Sequence, residues 1–163
     1  MLAMKWYVYL AGEIHSDWRE QIARGVAEVG LPVVLLSPIT DHAASDDCGV
    51  AALGEEAEPF WKDHKGAKVN AVRTRTLIDR ADIVVVKFGD KYRQWNAAFD
   101  AGYAFAKGKS IITLHDPSLT HALKEVDASA LAVAQTPGQV IDVLKYATQQ
   151  TSDLYSFKNP PCN

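Results

Sequence analysis

A doubly wound α/β sandwich is predicted for this chain, because short apolar runs alternate with helix-period segments five times and one of those runs has no polar alternation at all. At 163 residues the chain has the usual length of one domain and enough residues to bury a full core. The first run, WYVYLA at 6–11, ends at Gly12 and reads as a strand. A helix follows, with Asp17 as the expected N-cap, Glu20 completing a capping box, and Gly30 as its stop. LPVVLLS is the second strand. From Pro38 to about Asp63 the chain carries Pro, Gly, Asp and Ser with little periodicity, so a long functional excursion is expected, with one short helix in GVAALGEEAEPFW.

His64 to Arg80 has helical spacing with Val69, Val72, Leu77 and Ile78 inward, and ADIVVVKFG is a strand buried on both faces. The helix WNAAFDAGYAFAKGK follows. Its expected apolar face is Ala97, Ala101, Ala104 and Phe105, and Gly108 stops it. SIITLH, a short helix around His121 to Val126, ALAVA, and a last helix from about Gly138 to Thr148 complete the alternation. The expected result is a five-stranded parallel sheet in the flavodoxin-like order 2-1-3-4-5, in a three-layer α/β/α sandwich over residues 1–149. Residues 150–163 read as a C-terminal tail, docked or interface-forming through Leu154, Tyr155 and Phe157.

Composition narrows the partners. A net charge of -3 supplies no general attraction to nucleic acid or anionic membrane. The apolar runs are shorter than the roughly 20 residues a bilayer requires, and the N-terminus lacks the pattern of a signal peptide, so a cytoplasmic location is expected. Cys48 and Cys162 show neither a disulfide framework nor zinc-ligand spacing, and no role is assigned to them.

Ligands of open α/β sheets bind beyond the carboxyl ends of the strands. That rule gathers Gly12, Glu13, His15 and Ser16 after the first strand and Ser37, Thr40, Asp41 and His42 after the second. After the third come Asp90, Arg93, Gln94 and Asn96, and after the fourth His115 and Asp116. Asp100 joins them, about one turn into the helix that leaves the third strand. A carboxylate there can serve the helix dipole alone, or it can be a catalytic acid held at the edge of an alanine face.

Other signals are decoys or bland. GYAFAKGKS has one residue too many for a P-loop and the wrong order of elements. The histidines lack an i, i+4 pair, and Asp41, His42, Asp46 and Asp47 read as solvated loop residues, so neither a metal nor another cofactor is expected. Lys65, Lys68, Arg73, Arg75 and Arg80 read as a solvated helix face, with Arg73 or Arg75 reaching a phosphate as the sharper alternative. Trp61 and Trp95 are expected as packed anchors near the active edge.

The stretches YLAGEIHSDWRE, SPITDH, FWKDHK, RTRTLIDRADIVVVKFGDKYRQWNAAFDAGYA and HALKEVDASALAVA together resemble the YtoQ family, a branch of the nucleoside 2-deoxyribosyltransferase-like proteins. The likeness to the wider superfamily lies mainly in the first strand, in ADIVVV and in AFDAGYAFAKGK. It implies that Asp100 stands where those enzymes carry a nucleophilic Glu, followed by the matching Gly102, Tyr103 and Ala104. Tyr9 resembles the tyrosine that orients the nucleophile, and Gln94 falls where the family has an acid contacting sugar hydroxyls. Asn96, one turn before Asp100, could share that contact. Three positions depart from the pattern: Asp100 is one methylene shorter than Glu, Gln94 is an amide, and Thr74 replaces an acid.

The implied chemistry is cleavage or transfer of the N-glycosidic bond of a nucleoside or nucleoside 5′-monophosphate. A carboxylate captures or stabilises the oxocarbenium-like sugar, and the helix N-terminus with nearby hydrogen bonds is expected to keep it ionised. Asp90, His42 and Glu13 are the strand-end candidates for protonating the leaving base, and Ser37, His15 and Arg75 for holding a phosphate. The family also implies a homodimer or higher homo-oligomer. The competing reading is a non-catalytic nucleotide- or sugar-nucleotide-binding module with a signalling or scaffolding role. A third is an interaction protein.

Overall fold

The computed structural model describes residues 5–91 and 94–149. Five parallel strands, β1 (Trp6–Gly12), β2 (Val33–Leu36), β3 (Ile83–Lys87), β4 (Ser110–Leu114) and β5 (Ala132–Ala134), form one sheet in the order β2-β1-β3-β4-β5. This is the predicted flavodoxin-like order. Helices α1 (Trp18–Val29), α2 (His42–Leu53), α3 (Pro59–Arg80), α4 (Trp95–Ala106), α5 (Lys124–Asp127) and α6 (Pro137–Thr148) connect or follow the strands.

The period-2 alternation of the strands splits the core into two layers. Val8, Leu10, Val85, Ile112 and Leu114 face Trp18, Ile22 and Val26 of α1 and Val140 and Leu144 of α6. Tyr9, Ala11, Val84, Val86 and Ile111 face Ile78 of α3 and Ala97, Ala101 and Ala104 of α4. Each fully buried Val, Leu or Ile contributes about 1.5–3 kcal/mol, so the neighbouring runs of β1 and β3, buried along four residues each, anchor the centre of the sheet. Alanines let α4 lie close to the strands. At 100° per residue their stripe is about 60° wide, and Asp100 and Phe105 flank it on opposite sides. Phe105, expected in the core, is exposed.

The segment expected to be mostly loop is helical. α2 fills most of it, and α3 starts at Pro59 instead of His64. With 22 residues against five in β3, α3 is about 33 Å long and outruns the sheet. Its N-terminal half is covered by α2, and the two form a helical hairpin standing above the carboxyl edge. Their backbones nearly touch, since a Cβ on Gly49 would lie 2.2 Å from the Gly66 nitrogen. Lys62 pairs with Asp47 at 2.8 Å, and Lys65 pairs with Glu56 at 2.6 Å while its Nζ donates to the Gly54 carbonyl at 2.9 Å. Cys48 lies in α2 near the Ser45 and Gly66 carbonyls, not in a loop.

Several smaller expectations are corrected. Val72 points outward at 69% exposure, because the hairpin covers another side of α3. Trp61 and Trp95 are also exposed; Trp61 stacks edge-on with Phe60 and His64 at the end of the hairpin. Asp17 forms no cap bond and instead accepts from Gln21 Nε2 at 2.8 Å, whereas Gly30 ends α1 in the left-handed conformation as predicted. The helix expected at 121–126 is a 3-10 turn at Pro117–Leu119 followed by α5. Among the described residues no helix is long and apolar enough to cross a membrane. The tail 150–163, with Cys162, lies outside the described residues.

Candidate functional site

A cleft of about 840 Å³ opens at the carboxyl edge of the sheet, between the β1–α1 loop, the α2–α3 hairpin and the first turns of α4. Its size suits a small organic ligand.

The β1–α1 wall is the most tightly built. Gly12 has φ +101°, and a Cβ there would lie 2.1 Å from the Lys87 carbonyl oxygen, so glycine is required for the chain to leave β1 against β3. Arg19, 8% exposed, reaches back under the loop. Its Nε donates to the Leu10 carbonyl at 3.1 Å, and its two terminal nitrogens donate to those of Glu13 at 2.6 Å and Gly12 at 3.1 Å. Trp18 Nε1 donates to the same Glu13 carbonyl at 2.8 Å. Burial lowers the Arg19 guanidinium to about 10, so it stays charged at neutral pH. The buried Glu13 turns its carboxylate inward, where it accepts from the His15 backbone N–H and, at 2.6 Å, from Ser16 Oγ.

The α4 wall is different. Asn96, Asp100 and Tyr103, at i, i+4 and i+7, form the flank of α4 that lines the cleft. Asp100 accepts no hydrogen bond among the described residues. Burial raises its carboxyl from 3.8 to about 7. The expectation that helix N-terminus and hydrogen bonds keep it fully ionised is therefore corrected: it is the sixth residue of α4, beyond the first turn where the dipole acts. Directly beneath, Tyr9 is wholly buried. Burial pushes its phenol up to about 12, with the Thr74 hydroxyl nearby working against it and the Asp100 charge adding to it. Its oxygen nonetheless has no hydrogen-bond partner among the described residues.

The remaining predicted residues divide cleanly. Gly12, Glu13, His15, His42, Arg75, Gln94, Asn96 and Asp100 line the cleft. Tyr9 lies under its floor. Ser37, Asp41 and Asp90 are not on its wall: the Ser37 hydroxyl donates to the Pro38 carbonyl, Asp41 caps α2 by accepting from Ala44 N at 2.7 Å, and Asp90 is exposed on the β3–α4 loop. Local turn chemistry has absorbed the first two. Arg93 lies outside the described residues. Gln94 is held at φ 24°, ψ 34°, the one non-glycine with a left-handed φ among the described residues, and its Nε2 donates to the Lys91 carbonyl at 2.6 Å. Such backbone strain at a cleft is typical of functional positions.

Arg75 stacks 5.8 Å from the Tyr103 ring centre, while the Tyr103 hydroxyl donates away from the cleft to Asp79 at 3.1 Å. His42 faces Asp46 at 3.0 Å. Among the described residues no three His, Cys, Asp or Glu side chains gather as a metal site. His115, a strand-end candidate, is committed elsewhere: its ring pairs with Asp127 of α5 at 2.9 Å, and Thr113 donates to the same carboxylate. Asn70, Trp95 and Phe99 also line the cleft and were not singled out as ligand contacts. Asn70 lies on α3, and its Nδ2 donates to the Ser45 carbonyl of α2 at 3.0 Å.

The family model described as nucleoside 2-deoxyribosyltransferase YtoQ matches residues 9–148. The chain is 43% identical over 143 residues to the uncharacterized protein YtoQ of Bacillus subtilis (strain 168), a match covering 88% of this chain and 97% of that one. Among solved structures it resembles a conserved protein from Enterococcus faecalis V583, with a TM-score of 0.63, 15% identity, and coverage of 88% of this chain and 99% of that chain. It also resembles a 2-deoxyribosyltransferase from Bacillus psychrosaccharolyticus, with a TM-score of 0.52, 17% identity, and coverage of 91% and 95%. These two likenesses show a shared fold.

Proposed function

The chain belongs to the YtoQ family of nucleoside 2-deoxyribosyltransferases, and from that premise we propose that it cleaves or transfers the N-glycosidic bond of a nucleoside or nucleoside 5′-monophosphate with Asp100 as the nucleophile. The observation that carries this reading is the state of Asp100: a carboxylate on a cleft wall, raised to about 7 by burial and without a hydrogen bond among the described residues. A stabilising structural carboxylate would be capped or paired. A nucleophile has to be desolvated and unoccupied.

In the proposed step the Asp100 oxygen bonds to the sugar C1′ as the C1′–N bond breaks, and its electron pair leaves with the base, which takes up a proton. Water or a second base then attacks C1′ and restores the carboxylate. Only the ionised form of Asp100 can attack, and burial raises the pH at which that form prevails. His42 and Glu13 are the lining groups able to exchange the proton of the base. Asp90, off the cleft wall, is the weaker candidate. Gln94 and Asn96 are suited to sugar hydroxyls, and Tyr9 supports Asp100 from below. His15 and Arg75 are the lining candidates for a phosphate.

The test is a panel of ribo- and 2′-deoxyribonucleosides and their 5′-monophosphates, with and without an acceptor base, analysed by chromatography for released or exchanged base. Turnover by the wild type that is lost in Asp100→Ala supports the reading. Binding without turnover would favour the non-catalytic module, and equal turnover by the variant would sink the nucleophile assignment.

The expected homo-oligomer has a surface that fits it. Trp95, Phe99 and Phe105 are exposed at 73%, 61% and 60% along α4, and a side chain added at Gly102 on the same face would meet nothing within 4 Å. Because Trp95 and Phe99 also line the cleft, a second copy seated there would wall it further. A monomeric mass in solution would rule this out.

A further inference from the structure

We infer that Thr74 of α3 is a positioning residue of the cleft: its hydroxyl donates to the Tyr9 phenol oxygen and so aims the phenol O–H at the Asp100 carboxylate. The inference rests on the glycosidic reading for what Asp100 does, and it adds a residue to which that reading gives no task. Tyr9 leaves β1 into the layer shared with α3 and α4, where it packs with Ile78, Ala97 and Ala101. Thr74 lies one helical turn before Ile78 and therefore on the same side of α3. It is half-buried and, like Asp100, lines the cleft.

Three oxygens from three elements meet at the cleft floor, and none of them makes a hydrogen bond among the described residues. The groups that act on the phenol are the Thr74 hydroxyl, the Asp100 carboxyl, and the guanidinium groups of Arg19 on α1 and Arg73 on α3. Both arginines are committed to backbone carbonyls, Arg19 to those of Leu10, Gly12 and Glu13, and Arg73 to that of Ser37. Thr74 is not so committed. A helical threonine can turn its hydroxyl to the carbonyl four residues back, as Thr148 does toward Leu144 at 2.8 Å. Thr74 forms no such bond among the described residues, and its hydroxyl is available to the phenol.

The direction of the chain follows from the chemistry of its members. An ionised carboxylate only accepts, so the phenol must donate to it, and the phenol oxygen is then left with lone pairs that call for a donor. A hydroxyl at position 74 supplies one. A carboxylate there could only accept, and it would draw the phenol proton away from Asp100. The three groups are loosely arranged as they stand, as catalytic hydrogen bonds often are before a ligand tightens them.

The experiment follows the carbon-13 carboxyl resonance of Asp100, assigned with Asp100→Asn, through a pH titration of the ligand-free wild type, Thr74→Val, Thr74→Ser and Tyr9→Phe. Losing a donor from the chain disfavours the ionised carboxylate, so Thr74→Val and Tyr9→Phe should each raise the midpoint by about half a pH unit or more. Thr74→Ser should restore it. Because Thr74 acts through Tyr9, adding Thr74→Val to Tyr9→Phe should shift the midpoint no further. An unchanged midpoint in either single variant overturns the proposal, as does an equal second shift in the double variant, and the Tyr9→Phe arm holds whether or not Thr74→Val folds.

Base release from the panel of nucleosides and 5′-monophosphates is measured alongside. Wild-type turnover whose pH profile is unchanged in Thr74→Val sinks the positioning role and leaves the glycosidic reading standing. The expected midpoint shifts in a protein that releases no base would do the reverse.

Discussion

The Arg19 corner of the cleft and the Asp100 corner both bury charge, and they satisfy it in opposite ways. Around Arg19 the guanidinium, the indole of Trp18 and the Glu13 carboxylate all find partners between 2.6 and 3.1 Å or closer, and none depends on a ligand. At the other corner a desolvated carboxyl and a fully buried phenol oxygen stand without hydrogen bonds among the described residues. A satisfied polar cluster rigidifies the fold, and an unsatisfied one holds free energy that a bound ligand can recover. The difference separates a corner closed on its own partners from one whose polar groups are left open to a ligand.

The sharpest way to break that contrast is Asp100→Asn. Activity is expected to fall about 1,000-fold or more, as for loss of a covalent nucleophile. Folding stability should move the other way. With its carboxyl raised from 3.8 to about 7, the folded chain binds that proton more tightly than the unfolded one, so wild-type stability is lost as pH rises from about 4 to about 7 and is flat above. Removing the charge should therefore stabilise the protein by about 1–3 kcal/mol at pH 8, a range discounted because the group opens on the cleft. Urea melts at pH 5 and pH 8 check this, and a destabilised variant at pH 8 would show that Asp100 is structural.

At the opposite corner, Arg19→Met should destabilise by about 3–5 kcal/mol, because three carbonyls lose their donor and Glu13 loses its counter-charge. A drop under about 1 kcal/mol would mean that water replaces the guanidinium readily. The pH profile of kcat/KM comes next: with the ionised form of Asp100 required, activity should rise about tenfold per unit up to about pH 7 and then level. A limb falling through 7 would make Asp100 an acid. The smallest effect on folding is expected for Tyr9→Phe, which removes an unpartnered buried oxygen and should leave stability unchanged or raise it by up to about 1 kcal/mol. Its kcat should still fall about tenfold if the hydroxyl positions Asp100.

Much of this was readable from local pattern. The run Ile83–Val86 has no polar alternation and is buried throughout, and strand-end logic brought seven of the predicted residues to one cleft, with Arg75 of α3 as the eighth. The failures have physical causes. The N-terminal half of α2, outside the short helix expected in GVAALGEEAEPFW, was missed because its apolar residues lie on no single side; α2 is held to α3 by the Gly49–Gly66 approach and by ion pairs, none of which leaves a period in the sequence. Ser37 and Asp41 have the chemistry of ligand contacts but serve turn and cap, and Asn70 carried no signal because its place on the cleft depends on α2.

Periodicity determined the strands and the alanines of the α4 face, and the β-α alternation implied the fold class whose usual strand order is 2-1-3-4-5, because burial in a parallel sheet imposes patterns that single residues cannot mimic. Strand-end placement singled out Asp100, and resemblance gave it the role of a nucleophile. Only the tertiary structure decided that its carboxyl is raised to about 7 and that Glu13 turns into its own loop. Both are matters of desolvation and of which donors lie within 3 Å, set by residues distant in the chain that are adjacent only once it is folded.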